Sequence, residues 1–600
     1  MAPGGGIISI KKLIREMYAQ SLIAMPVCLT FILRKSIDII SVIFVGHLSA
    51  HYLSSCGLAT VTSNVTGSAI VVGLGGALST LASQANGARD AEALNLSLQQ
   101  AVAIIPTVAC VPVSLLWLFS ERIMHAFGQE AALAHDASRY LLLLIPSLYC
   151  MALSICIQNW LHAQARTLAV AVVTACMALL HPLWCWLFIY YLDLGFLGAA
   201  VAVSLSRALE LAALVWYLTF GSTILADVRF QWSTHKVFSN WWPFLALGLP
   251  NVLMMMEWMA SEVIIFLAGA LVHPETQVSA MSIYQSTITL CFMLPSGLSV
   301  SGATRCGNAL GLSDAGSAAR AALAAPILAA IVSSLVAGVV IAVHTSWALV
   351  FTTDSAVVSA VSGILPILAV YVVADGVQGA LTGIIKGLGK QRLGGPIVLF
   401  AYYVVGIPLS VSLGFNWSKQ SLSDGMGIYG LCLGTTVGTL IHTSLYAVVV
   451  LRTNWKEEAD GVAKRIVEES AQLRAGALRG SQLVDLDGPD EGPPAGAGGA
   501  GSASKLTASD GITNIFDADL DDDWNDSFDS FTKFNLYGTD PDKSPSRPIM
   551  QRVQETIGSS FFSAFRSKQE MRSEYELVQT HLDPLSARYS PADEDDDLIF

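Results

Sequence analysis

Asp38, Glu257, Glu262 and Asp375 each stand inside a run of otherwise apolar residues. A carboxylate placed in hydrocarbon is costly, so it is kept for a function or neutralised by a partner. Burial disfavours the charged form of a carboxyl. Such a group can take up a proton near neutral pH and release it as a gradient demands. A proton and a cationic or hydrogen-bonding ligand that compete for it become coupled, because each favours a different state of one site. Glu257 and Glu262 are five residues apart, roughly 500° of helical rotation, which leaves them about 140° from one another. They cannot point at one spot: one would face a central cleft and the other the interior of its own bundle.

Other polar residues accompany these acids. Arg34 lies four residues before Asp38, within ion-pairing reach on a helix. That pair would be structural or would line a wet cleft; alternatively Asp38 owns a proton site. Arg34 or Lys35 facing a cleft would favour an anionic ligand. Gln158 and Gln378 each follow a proline, Pro146 and Pro366, by twelve residues. An amide at such a place bonds a neighbouring helix or touches substrate. Trp258, Tyr284, Tyr402 and Tyr403 either pack or stack on aromatic and cationic ligands. Met254-Met255-Met256 is adaptable packing, and Arg305 is an anchor at the membrane surface. The ten cysteines are scattered through apolar segments, as small hydrophobes rather than disulfide or zinc partners. With no His-rich metal set, phosphate loop or Ser/His/Asp arrangement inside the apolar runs, we expect no enzyme, no bound metal and no cofactor. Nothing basic enough for nucleic acid stands out.

The elements that must hold these residues are membrane helices. Of 600 residues 53% are hydrophobic and 13% charged, about half the charge of a soluble domain. Residues 455–600 hold 14 Lys+Arg against 29 Asp+Glu, and the 454 before them hold 19 against 17. A near-neutral apolar body therefore precedes an acidic tail. Crossing a bilayer takes about 20 apolar residues as helix. Twelve runs qualify: 19–46, 57–80, 98–119, 139–160, 167–192, 195–220, 242–270, 278–302, 317–343, 356–385, 393–414 and 427–451. Each is too long for a barrel strand. With the N-terminus inside, inside loops hold twelve Lys or Arg and outside loops three, which puts both termini in the cytosol. Asn416 then heads a sequon in an outside loop.

The second six runs echo the first six. Pro26 matches Pro250 at an offset of 224; Pro106 matches Pro326 and Pro146 matches Pro366 at 220. Pro182 matches Pro408 at 226, and Gly195-x-x-Gly198 matches Gly427-x-x-Gly430 at 232. Asp38 likewise falls on Glu262 at 224. Six is even, so the repeat is parallel, about an axis along the membrane normal. The expectation is an all-α polytopic membrane protein with two six-helix bundles, at 19–225 and 242–454, related by a pseudo-two-fold axis. A cytosolic N-terminus (1–18), a cytosolic linker (226–241) and a mostly disordered acidic tail (455–600) complete it. Prolines inside spans loosen helix ladders, which suits helices that bend in alternating access.

In the tail, 456–475 suits a short amphipathic helix and 485–513 a flexible linker. Tyr575-Glu-Leu-Val578 and Glu594-x-x-x-Leu598-Ile599 are similar to sorting signals read by trafficking adaptors. These point to an endomembrane or vacuolar membrane, with the plasma membrane as the alternative.

Several motifs carry a family resemblance. The chain has Phe44-Val-Gly46-His47-Leu48, then Gly73-Leu-Gly-Gly, which runs on to Gln84-Ala-Asn-Gly87. It has Pro295-Ser-Gly297-Leu-Ser299 followed by Arg305-Cys-Gly307-Asn308, then Asp375-Gly-Val-Gln378, Gly387-Leu-Gly389-Lys-Gln391 and Tyr402-Tyr403-x-x-Gly406-Ile-Pro408. Over about residues 15–455 it resembles the multidrug and toxic compound extrusion (MATE) family, in its eukaryotic, plant-like branch. The Arg34-Lys35-x-x-Asp38 cluster and the long acidic tail depart from the usual pattern. The resemblance implies a monomeric secondary exporter of organic cations, organic acids or secondary metabolites, driven by protons, with sodium as the alternative ion. It places acids of the seventh and tenth helices, here Glu257, Glu262 and Asp375, at the proton or substrate site. A lipid or lipid-linked-sugar flippase of the same superfamily is the competing expectation, and it would need a cationic cleft.

Overall fold

The computed structural model describes residues 10–220, 237–238, 240–415 and 425–468, all within one compact unit, Met1–Pro489. Asn416, most of the expected 226–241 linker and the tail beyond 468, with its sorting motifs, lie outside the described residues.

Among the described residues the chain is helical and has no strand. Twelve spans follow one another: α1 (Ile10–Gly46), then α2 (His51–Gly87), α3 (Ala91–Leu118) and α4, a pair (Ala131–Leu143 and Ile145–Ala163) bent by 44°. Next come α5 (Thr167–Tyr191), α6 (Leu197–Phe220), α7 (Trp242–Ala268), α8 (Pro274–Gly311) and α9 (Ala315–Val343). The last spans are α10 (Ser355–Leu388), α11 (Gln391–Gly414) and α12 (Ile428–Leu451). A further helix, α13, runs from 455 to the last described residue, 468. Ten of these are long and apolar enough to cross a membrane, and α4 is an eleventh if its bent pair is one span. The 37-residue α1, which carries Arg34, Lys35 and Asp38, is the twelfth and is not among those ten.

Where the expected runs fall short, the reason is local. The run at 57–80 extends to Gly87 and that at 278–302 to Gly311, because Ser83, Gln84, Asn86, Arg305 and Asn308 continue the helix. Hydropathy counts these residues as loop, yet they pack between helices. The prolines act as kink sites. Pro146 has no N–H for the carbonyl of Leu142, and α4 bends beside it. Near Pro250 the α7 ladder tightens, with Met255 N–H donating to the carbonyl of Val252.

The two halves join at the side that bears the N-terminus. The first helix of each half packs on the other: α1 on α8, and α7 on α2, with α2 against α8 on the axis between them. Hydrogen bonds between the halves cluster at this side. Thr80 donates to the carbonyl of Lys386 (2.7 Å), Gln84 to that of Gly387 (2.9 Å), and Asn308 to that of Ala163 (3.2 Å). Arg305 grips Glu16 at 2.9 and 2.6 Å, so it is a clamp between the halves rather than a surface anchor. The tightest approach is reciprocal. A side chain at Gly87 would overlap the backbone of Asn308, and one at Gly311 would overlap that of Gln84. Both pairs are related by the 224-residue offset. Glycine is required there because the backbones touch.

Gly87→Val should therefore pry the halves apart at this side. We expect transport to fall by about tenfold or more. A cysteine placed at Thr80, in a background without the native thiols, should gain reactivity towards a reagent added on the N-terminal side.

Candidate functional site

The second half gathers the acids around Glu257. The residue sits in the first turn after the tightened step of α7 at Met255. It accepts hydrogen bonds from the Tyr402 hydroxyl (2.9 Å) and the Gln378 amide (3.1 Å). Tyr402 belongs to a π-helical stretch of α11, Phe400–Gly406, just ahead of Pro408; a wider turn of this kind absorbs the missing N–H and re-aims side chains. Gln378 also donates to Thr382 (3.0 Å). Asp375, one turn earlier on α10, is 5% exposed and close enough to Glu257 for the two carboxyls to repel. Lys386, at the end of α10, acts on Glu257 with the opposite sign. Lys386 counted as an inside-loop residue in the sequence; it lies in the last helical turn. Beside Tyr402 a small cavity opens, lined by Ser261, Tyr284, Gln285, Tyr371 and Thr435. Tyr403 instead donates to the carbonyl of Met256 (3.0 Å) and fixes α11 on α7.

The first half holds a different cluster. Arg34 does not pair with Asp38. Its guanidinium donates to Glu210 of α6 (2.8 Å) and to Gln158 of α4 (2.9 Å). Glu210 is 2% exposed and also accepts from Gln158 (3.2 Å), Thr174 (3.2 Å) and Arg207 (3.3 Å). Two guanidiniums and one carboxylate are thereby tied across α1, α4, α5 and α6. Arg207 and Glu210 are functional candidates that the sequence reading passed over. Their signal was present, as an Arg-x-x-Glu pair inside an otherwise apolar run.

Asp38 pairs with Lys35 at 3.9 Å, with both side chains about a third exposed. Lys35 also acts electrostatically on half-buried Glu262, so one ammonium lies near both members of the 224-offset acid pair. The structure thus brings Glu257, Asp375, Gln378 and Tyr402 together and seats Tyr284 on the adjoining cavity. It places Arg34 and Gln158 in the other half, and it leaves Asp38 and Glu262 nearer the surface, together with Trp258 (43% exposed). The cationic cleft required by a flippase is not formed by Arg34 and Lys35, since each has its own carboxylate.

The repeat appears again in comparison with known proteins. The MatE family model matches residues 26–187 and matches again at 251–412, displaced by 225 residues. The chain belongs to the MatE family. MATE proteins are transporters, not enzymes, so this is a multi-pass membrane transporter of the multidrug and toxic compound extrusion type. It is 31% identical over 455 residues to Protein DETOXIFICATION 14 of Arabidopsis thaliana, which covers 76% of this chain and 92% of the relative. It is 32% identical over 470 residues to Protein DETOXIFICATION 16 of the same plant, covering 78% and 94%. The crystal structure of the eukaryotic MATE transporter AtDTX14 superposes with a TM-score of 0.71 at 31% identity, covering 76% of this chain and 99% of that one. An outward-facing multidrug resistance MATE transporter shares the fold at 16% identity and a TM-score of 0.65. The plant-like branch and the MATE helix plan are thus both found.

Removing the carboxylate of the first-half cluster should be costly. Glu210→Gln leaves two guanidiniums unpaired in an apolar surround, a loss of about 3–5 kcal/mol. Thermal melting of the detergent-purified protein should show it as a drop of several degrees. Adding Arg34→Gln should recover part of the loss.

Proposed function

We propose that this MATE transporter exports small organic compounds from the cytosol in exchange for protons, with Glu257 and Asp375 as the exchange site. The observation that carries the reading is the pair of neighbouring carboxyls buried among helices. Their second-half surroundings offer hydroxyls, amides and one Lys. The first-half carboxylate is held between two guanidiniums instead. An acid without a fixed guanidinium partner is one whose charge a proton can cancel. A cationic or hydrogen-bonding substrate is favoured when the site has lost its proton, and the returning proton displaces it.

Lys and Arg on the loops favour cytosolic termini. With that orientation the halves are closed towards the cytosol, and the described conformation is the one in which substrate would leave. An endomembrane or vacuolar address rests on the tail motifs alone. The flippase alternative draws no support from the family or from the relatives named above.

The test uses proteoliposomes with an imposed pH gradient and two probes, a cationic dye and citrate. We expect gradient-driven transport of the dye, lost at least tenfold in Glu257→Gln, with the residual activity independent of pH. Transport that ignores pH and follows sodium would replace the ion. A Glu257→Gln protein that still responds to pH like wild type would remove Glu257 from the exchange.

A further inference from the structure

His442 lies in the middle of α12 and is fully buried, and among the described residues neither ring nitrogen has a hydrogen-bond partner. Buried polar groups are rarely left in this state, and an exception calls for a reason. Its Nδ1 is 3.9 Å from Oε2 of Glu257, too far for a hydrogen bond and near enough to form one with a small movement. Two tyrosine rings meet the imidazole edge to face and limit where it can turn: Tyr402 at 5.6 Å and Tyr446 at 4.2 Å between ring centres.

The internal repeat gives this placement a second, independent meaning. At the 232-residue offset set by Gly198 and Gly430, His442 is the counterpart of Glu210. Gln378 is the counterpart of Gln158 at 220. In the first half the sixth helix offers an acid, the first helix a base, and the fourth an amide that bonds the acid at 3.2 Å. In the second half the seventh helix offers the acid, the twelfth the base, and the tenth an amide that bonds the acid at 3.1 Å. The plan is the same with acid and base exchanged. The first-half contact is made, at 2.8 Å, and its base is an arginine that keeps its charge. The second-half contact is open, and its base is a group that can lose its charge.

We propose that His442 is the positioning partner of Glu257 in proton exchange, so that one bound proton draws α7 and α12 together. This rests on Glu257 being a proton site, as proposed above. On loading, a proton from water adds to the Glu257 carboxylate, and the new O–H donates to Nδ1 of neutral His442. The pair goes from net −1 to net 0 whether the hydrogen rests on oxygen or on nitrogen. On release that proton returns to water, the carboxylate keeps Tyr402 and Gln378, and the imidazole is again without a partner. The other groups acting on the pair are Asp375, Tyr371 and Lys386 of α10. Tyr446 lies on the same helix as His442. None of these donates to the ring among the described residues.

Infrared spectroscopy of the full-length protein in detergent tests this without a substrate. The carboxylic-acid C=O band that disappears in Glu257→Gln is assigned to Glu257 and followed against pH. In His442→Phe, which keeps the ring contacts, the pH at which half this band is gone should fall by about one unit, the equivalent of one hydrogen bond. His442→Asn keeps an acceptor and should restore most of the wild-type value. If Glu257→Gln removes no titrating band, the reading of Glu257 as a proton site fails, and this inference with it. If the band is Glu257's and its midpoint is unchanged in His442→Phe, only the role of His442 is overturned. His442→Leu is read in the same way should the Phe variant not fold.

Discussion

A charge inside hydrocarbon must be neutralised within a few ångströms, and much of this structure follows from how each half meets that demand. In the first half the neutralisation is permanent. Glu210 is held by Arg34 and Arg207, with Gln158 and Thr174 also donating to its Oε1. Such a network ties α1, α4, α5 and α6 into one body and leaves no vacancy for a traveller. In the second half Glu257 accepts from a hydroxyl and an amide and has an imidazole 3.9 Å away, with no guanidinium bonded to it among the described residues. One half thereby holds a charged strut and the other an acid with no guanidinium bonded to it, although both follow one six-helix pattern.

Much of this was legible in the residues. Apolar length gave the spans, and matched prolines gave the repeat, because both are properties of local sequence. Glu257 and Asp375 stood out because an acid in an apolar run is rare. What stayed hidden was pairing. Arg34 has Asp38 four residues away and Glu210 176 residues away; the sequence favours the near one and the fold chose the far one. The Cα–Cβ bonds of α1 aim Arg34 into the bundle, while Lys35, a third of a turn on, takes Asp38 near the surface. His442 escaped notice for the opposite reason. A lone histidine carries no signal until the structure sets its ring beside a carboxylate and shows both nitrogens idle.

The ends of α2 and α8 teach a related lesson. Their small and polar residues read as loops, since hydropathy measures the preference of a surface for lipid. These residues face protein, and there the gain comes from close approach and from hydrogen bonds to opposing backbone. The predicted C-terminal ends of these two helices therefore fall short, by seven and nine residues, and they are the segments on which the meeting of the halves depends.

The crossed glycine contact also bears on ancestry. Gly87 meets Asn308 while Gly311 meets Gln84. Residue i touching j and the copy of i touching the copy of j is the signature of an isologous interface, the kind that joins two identical subunits about a two-fold axis. A free six-helix half would carry both faces of this contact and could recognise another copy of itself. Covalent linkage of two such copies would make them inseparable and leave each free to diverge. The seam kept its original reciprocity, while the acid and the base behind it traded helices.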